Sequence, residues 1–202
     1  MGRSPPTGHP GEDYGCRCWA EPYVPDTRES FTITMQDVSD EGRPWRWWDY
    51  VDHYFSGEGQ TVSLRQTGNL ETIVEEYGRL VIDDPKILRG QIADEARKNQ
   101  GRRFNYKFGT TYQMERRVFI VGDTLIGGLF SGRCRRDHAL LEIEGVIGFY
   151  LRNMFEDPLD LGTIGFRQTE IVSGTPYVIA DVWGATVSAR VLVNGDDSLF
   201  TQ

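Results

Sequence analysis

The 202-residue sequence has no apolar run near the roughly 18 residues that a membrane-crossing helix needs, and its opening, MGRSPPTGHPGEDYGC, lacks the apolar core of a secretory signal. No spanning helix and no signal peptide are therefore expected. Positive charge is also in deficit: 22 Lys and Arg against 30 Asp and Glu leave a net charge of −8, which counts against a broad nucleic-acid binder, because phosphate backbones call for a basic footprint. Cysteine is confined to Cys16, Cys18 and Cys134, an odd number that does not build a closed disulfide framework. Cys16 and Cys18 are separated by one residue, too close for an easy disulfide and tighter than the usual spacing of zinc-binding cysteines, so reduced thiols are favoured over a metal site that would recruit His9 and a fourth ligand from elsewhere. No cofactor motif is present. Ser56-Gly57-Glu58-Gly59 lacks the Gly-Lys-Ser/Thr of a phosphate loop, and residues 124–132 lack a dinucleotide fingerprint.

What remains is ordinary globular material, 39% hydrophobic, 12% aromatic and 26% charged, unevenly distributed. Residues 1–30 hold Pro5, Pro6, Pro10, Pro22 and Pro25 among four glycines and show no apolar periodicity, so they read as an extended arm before a compact domain at 31–202. Tyr14, Trp19 and Tyr23 interrupt the arm. Large rings are unfavourable in water, so the arm is expected to lie against a surface, which a partner can supply.

Beyond the arm, Phe31, Ile33 and Met35 alternate with polar residues and predict a strand. The segment from Trp45 to Phe55 is the densest aromatic stretch and must be buried or bound. A turn at residues 56–59 precedes a second strand at 61–65. Leu70, Ile73, Val74 and Tyr77 have helical spacing, with Asn69 as N-cap and Gly78 near the end. A second amphipathic helix is expected from Pro85, capped by Asp83 or Asp84, with Ile87, Leu88, Ile92 and Ala96 on its apolar face. After Arg103 come glycine-punctuated strand patterns at 104–108, 112–121, 124–131, 139–151 and 177–192, with Gly122-Asp123 as a hairpin turn. In the fourth of these, Leu141, Ile143, Gly145, Ile147, Phe149 and Leu151 share one parity, while Glu142, Glu144 and Arg152 share the other. The fold class expected is α+β: mainly antiparallel sheet, or a partly closed barrel, with two amphipathic helices.

Few residues carry chemistry. Asp52-His53 pairs a carboxylate with an imidazole in the aromatic segment, an arrangement that suits general-base work but is also a common structural pair. Asp137-His138 ends the run Arg133-Cys134-Arg135-Arg136, which reads as a charged hairpin tip and, alternatively, as an anion site built from Arg133, Arg135 and Arg136. Trp47 and Trp48 are candidate binding residues. Glu156, Asp157 and Asp160 read as an acidic turn rather than a cation loop.

Gly8-His9-Pro10-Gly11-Glu12-Asp13-Tyr14-Gly15-Cys16-Arg17-Cys18-Trp19 resembles the C-terminal tail of phage Mu F-type head morphogenesis proteins, minor capsid proteins that close on a His-Pro-x-Cys-Arg-Cys pattern. Four extra residues, Gly11 to Tyr14, separate the two halves here. The resemblance covers residues 5–23 and implies a virion-associated accessory module that docks on a capsid or portal protein, located in the virion or the host bacterial cytoplasm. Further on, Gly145-Val146-Ile147-Gly148-Phe149-Tyr150 and Gly174-Thr175-Pro176-Tyr177-Val178-Ile179 look like the C-terminal half of colicin M-type bacteriocins, β-rich enzymes that cleave a lipid-linked peptidoglycan precursor. That family's Asp-x-Tyr-Asp stretch with a following His-Arg is absent from the corresponding place, residues 151–158. This second resemblance implies a toxin-like effector scaffold acting on the bacterial envelope, with enzymatic activity left open.

Overall fold

The structure is a computed structural model, and the residues described are 28–82, 85–113, 123–156 and 174–195. The arm up to residue 27, the Gly122 turn, Asp83, Asp84, Asp157 and Asp160 lie outside them. The alternation at Phe31, Ile33 and Met35 becomes strand β1 (Ser30–Gln36), whose odd residues are half-buried and whose even residues face solvent. The aromatic segment becomes helix α1 (Trp47–Ser56), opened by an Asp49 carboxylate that accepts the Arg46 amide at 2.7 Å. Of the expected second strand only β2 (Val62–Ser63) forms. Ser63 and Gln66 exchange bonds between each one's amide and the other's side chain at 3.0 and 3.1 Å, and Gly68 adopts φ +63°, so the chain turns away.

Helix α2 (Leu70–Tyr77) forms where periodicity placed it, but its cap differs. The Leu70 amide donates to Asp40 Oδ1 at 2.8 Å, whereas the Asn69 side chain donates to Tyr50 Oη and to the Thr67 carbonyl, both at 2.8 Å. The second helix is likewise shifted. Residues 85–89 make a wide, π-helical turn with Ile87 outside helical geometry at ψ −106°, and regular helix α3 runs over Gly90–Lys98. Its Leu88, Ile92 and Ala96 are buried as expected, joined by Ala93.

Four long strands follow: β3 (Arg103–Gln113), β4 (Asp123–Asp137), β5 (Leu140–Phe155) and β6 (Tyr177–Leu192). The order is β1-β6-β5-β4-β3, antiparallel throughout, with β2 lying parallel to the start of β6. Among the described residues this is an open sheet, the first of the two expected forms, not a closed barrel. One face is covered. Leu141, Ile143, Ile147, Phe149 and Leu151 of β5 meet the odd residues of β6 and the apolar sides of α2 and α3 in a single core. Arg65 and Asp181 lock the β2 turn to this sheet, with the Arg65 amide 3.0 Å and its Nε 3.2 Å from the carboxylate. The opposite face carries no helix among the described residues.

Candidate functional site

His53 projects from α1 into an aromatic nest. Its ring lies edge-on to Tyr177 at 4.6 Å and near Trp45 at 5.6 Å, and its Nε2 is 2.8 Å from the Gln60 carbonyl. Gly57 closes over it, so tightly that an added Cβ would sit 2.5 Å from the ring. Asp52 is exposed on the neighbouring helix position. The imidazole is therefore placed to fasten the end of α1 to the start of β6. Burial raises the phenolic pKa of the adjoining Tyr177, whose hydroxyl donates to the Tyr50 carbonyl at 3.1 Å.

Asp137-His138 occupies the tip of the β4–β5 hairpin, with Asp137 in register opposite Leu140 and His138 at φ +53°. The two side chains touch, Nδ1 to Oδ1 at 2.8 Å, and are largely in water. His53 sits at the Phe155–Tyr177 end of the sheet and His138 at the Leu140 end, so the 16-residue β5 separates them by up to about 50 Å at 3.3 Å per residue. The structure does not bring the two imidazoles together.

The arginine run also divides. Arg133 and Arg135 lie directly across from Glu144 and Glu142, at 2.7 and 2.5 Å. Arg133 draws the Glu144 carboxyl below its ordinary pKa, and Glu142 pushes the Arg135 guanidinium up, so both pairs are ionised. Arg136 turns back and donates to the His138 carbonyl at 3.2 Å. Cys134, buried between these cations, points its thiol at the Ala96 and Asn99 carbonyls and joins β4 to α3. Trp47 packs on Phe155 at 6.1 Å, while Trp48 is 71% exposed. Among the described residues no group of three or more His, Cys, Asp or Glu side chains is placed to hold a metal ion.

The feature that residue-by-residue reading missed is the outer face of the sheet. Leu125, Leu129, Val146, Tyr150, Met154 and Val182 are all exposed on it, Val182 by 65% and Val146 by 54%. Register aligns them around a hollow. Gly148 pairs with Leu129 and Gly184, the next row aligns Gly109, Gly127, Tyr150 and Val182, and the row on the other side aligns Ser131, Val146 and Thr186. Gly148 has open space where a side chain would stand, and the Tyr150 ring lies across Gly127, within 2.4 Å of where a Cβ would be.

Charge frames the hollow. From the row Arg135–Glu142–Arg190 to the row Leu125–Arg152–Ala180, the outward positions hold six cations, Arg103, Lys107, Arg133, Arg135, Arg152 and Arg190, against Glu142 and Glu144. A chain of net charge −8 thus concentrates positive charge around the exposed apolar residues of this sheet face. The signal was present in the sequence, as Val146, Tyr150 and Met154 interleaved with the charged residues of β5.

No family model matches the chain, and no curated protein matches it. The resemblance of residues 5–23 to phage head proteins therefore receives no support from these comparisons. Among solved structures the chain is similar to the crystal structure of pectocin M2, a colicin M-like bacteriocin, with 15% identity over 69% of this chain and 53% of that one. The chain thus spans about half the length of that protein. The TM-score is 0.31, a likeness too slight to carry an argument about fold or chemistry.

Proposed function

We propose that the chain is a toxin-like effector module that meets the bacterial envelope through the outer face of its sheet. The observation that carries this reading is the pairing of six exposed apolar side chains with a cation-rich frame on an otherwise acidic protein. Apolar side chains enter the boundary between lipid headgroups and acyl chains, and each Lys or Arg near an anionic membrane surface adds about 1 kcal/mol. Beyond the two glutamate-paired arginines, the face offers the exposed Arg103, Lys107 and Arg152 for that purpose. The resemblance of residues 145–150 and 174–179 to colicin M-type bacteriocins supports the same direction, since both segments belong to adjoining strands β5 and β6 and their flanks. In this reading the exposed Asp137-His138 pair is the candidate for proton transfer and His53 is a fastener. The test is expression of the full chain in bacterial cytoplasm and in periplasm with counts of survivors. Loss of viability in the periplasm, relieved by Val182→Glu, is expected; undiminished survival in both compartments contradicts the reading.

A second reading, a virion accessory protein docked through its arm, is favoured by the Gly8 to Trp19 stretch. It predicts co-purification with phage heads or portals that is lost when residues 1–25 are deleted. Retained association after the deletion contradicts it.

A further inference from the structure

We propose that the outer sheet face is also the docking site of the chain's own N-terminal segment, residues 1–27, which covers the hollow at Gly148 and Gly184 when no envelope surface is present. The inference rests on the face assigned above and adds its regulation. Three observations choose this occupant. The first is charge: between residues 12 and 26 the segment carries Glu12, Asp13, Glu21 and Asp26 against the single Arg17, the complement of the rows from Arg135 to Arg152, which hold six cations and two carboxylates. The second is apolar content. Tyr14, Trp19 and Tyr23 are the large rings that the segment must remove from water, and the face presents a glycine-floored hollow edged by Leu129, Val146, Tyr150 and Val182.

The third is attachment. Chain 1–27 joins the described structure at Arg28, immediately before β1, and Glu29 accepts the Leu192 amide at 2.6 Å. Ser30 stands in register with Arg190, Glu142 and Arg135, so the acidic segment begins beside the cationic end of the face. From the Arg190 row to the Val182 row is about 26 Å at 3.3 Å per residue, and 27 extended residues reach about 90 Å. The segment has ample length to turn back, and Pro22 and Pro25 punctuate the place where a return would begin. A second copy of the chain is the poorer occupant, because face-to-face contact sets the same cation-rich surface against itself.

The experiment uses the full chain with Cys16→Ser and a nitroxide label on Cys18, the remaining Cys134 being buried. The reading is the broadening of backbone amide resonances in lipid-free buffer. The amides of Gly148, Val182 and Gly184 are expected to lose more than half their intensity, to keep that loss on tenfold dilution, and to recover it in Val182→Glu. If Val182→Glu disturbs the fold, Lys107→Glu with Arg152→Glu adds negative charge to the same face by reversing two exposed cations, and the same recovery is expected. Unaltered intensities overturn the proposal, as does broadening that disappears on dilution, which would mark a second copy as the occupant. With no lipid in the sample, that failure leaves the envelope reading standing, and a failed viability assay leaves this measurement unaffected.

Discussion

Asp49 shows how much one half-buried carboxylate can be asked to do. It accepts the Arg46 amide at the start of α1 and takes Arg43 Nη1 at 2.8 Å, and the Arg43 hydrogen bond, with the Arg46 amide behind it, pushes its pKa down to about 2. Because the folded pKa lies below the ordinary value of about 3.9, the benefit is fully present above about pH 4 and is lost as pH falls toward 2. Melting temperature followed from pH 5 to pH 2 is expected to fall less steeply in Arg43→Ala than in the native sequence; superimposable acid profiles contradict this account. His138 presents the opposite case, a side chain held at φ +53° where glycine is at home. His138→Gly is expected to raise unfolding free energy by about 0.5 kcal/mol, the relief of left-handed strain less glycine's added entropy, and a denaturant titration reads it. A loss of stability would show that the Asp137–His138 contact outweighs the strain.

At the level of elements, period was legible and punctuation was not. The strand β1, the helix α2 and the buried parity of β5 follow from apolar spacing in the chain itself. The α2 cap did not, because the acceptor for the Leu70 amide is Asp40, a residue 30 positions earlier that only the fold brings near. Burial raises the Asp40 pKa, an effect that bonds from the Leu70 and Glu71 amides oppose. Asp40→Ala is expected to cost about 1 kcal/mol, as for a lost N-cap, and Asn69→Ala to act instead by leaving the buried Tyr50 hydroxyl short of a donor. The glycines divide in the same way, by face. An added Cβ at Gly145, on the core face, meets the Phe130 ring at 2.6 Å, while at Gly148, on the outer face, it meets nothing. Gly145→Ala is expected to destabilise by about 1–3 kcal/mol through overpacking, and Gly148→Thr to be neutral or stabilising, with both values read from chemical denaturation. Equal losses at the two positions would mean that the outer face is not open.

Across the whole molecule, the informative quantity is the distribution of charge rather than its total. The deficit of positive charge argues against a general phosphate-backbone binder, yet it conceals a stretch of the outer face, from the Arg135 row to the Arg152 row, on which cations outnumber carboxylates six to two. Residues from four strands compose that face, and their adjacency is set by register, which no single stretch of sequence displays. Arg133 and Arg135 were legible as a cationic run, but the glutamates that neutralise them lie on the partner strand. The two imidazoles, equally visible as Asp-His pairs, prove to sit at opposite ends of the sheet. What joins these facts is the outer surface itself, and the most direct measurement is sedimentation of the full chain with phosphatidylglycerol-containing vesicles against pure phosphatidylcholine vesicles. The account predicts partitioning onto the anionic vesicles that weakens about tenfold in Val182→Glu, where a carboxylate enters the apolar centre, and that declines as salt screens the surrounding cations. No partitioning, or partitioning indifferent to Val182→Glu, would contradict it.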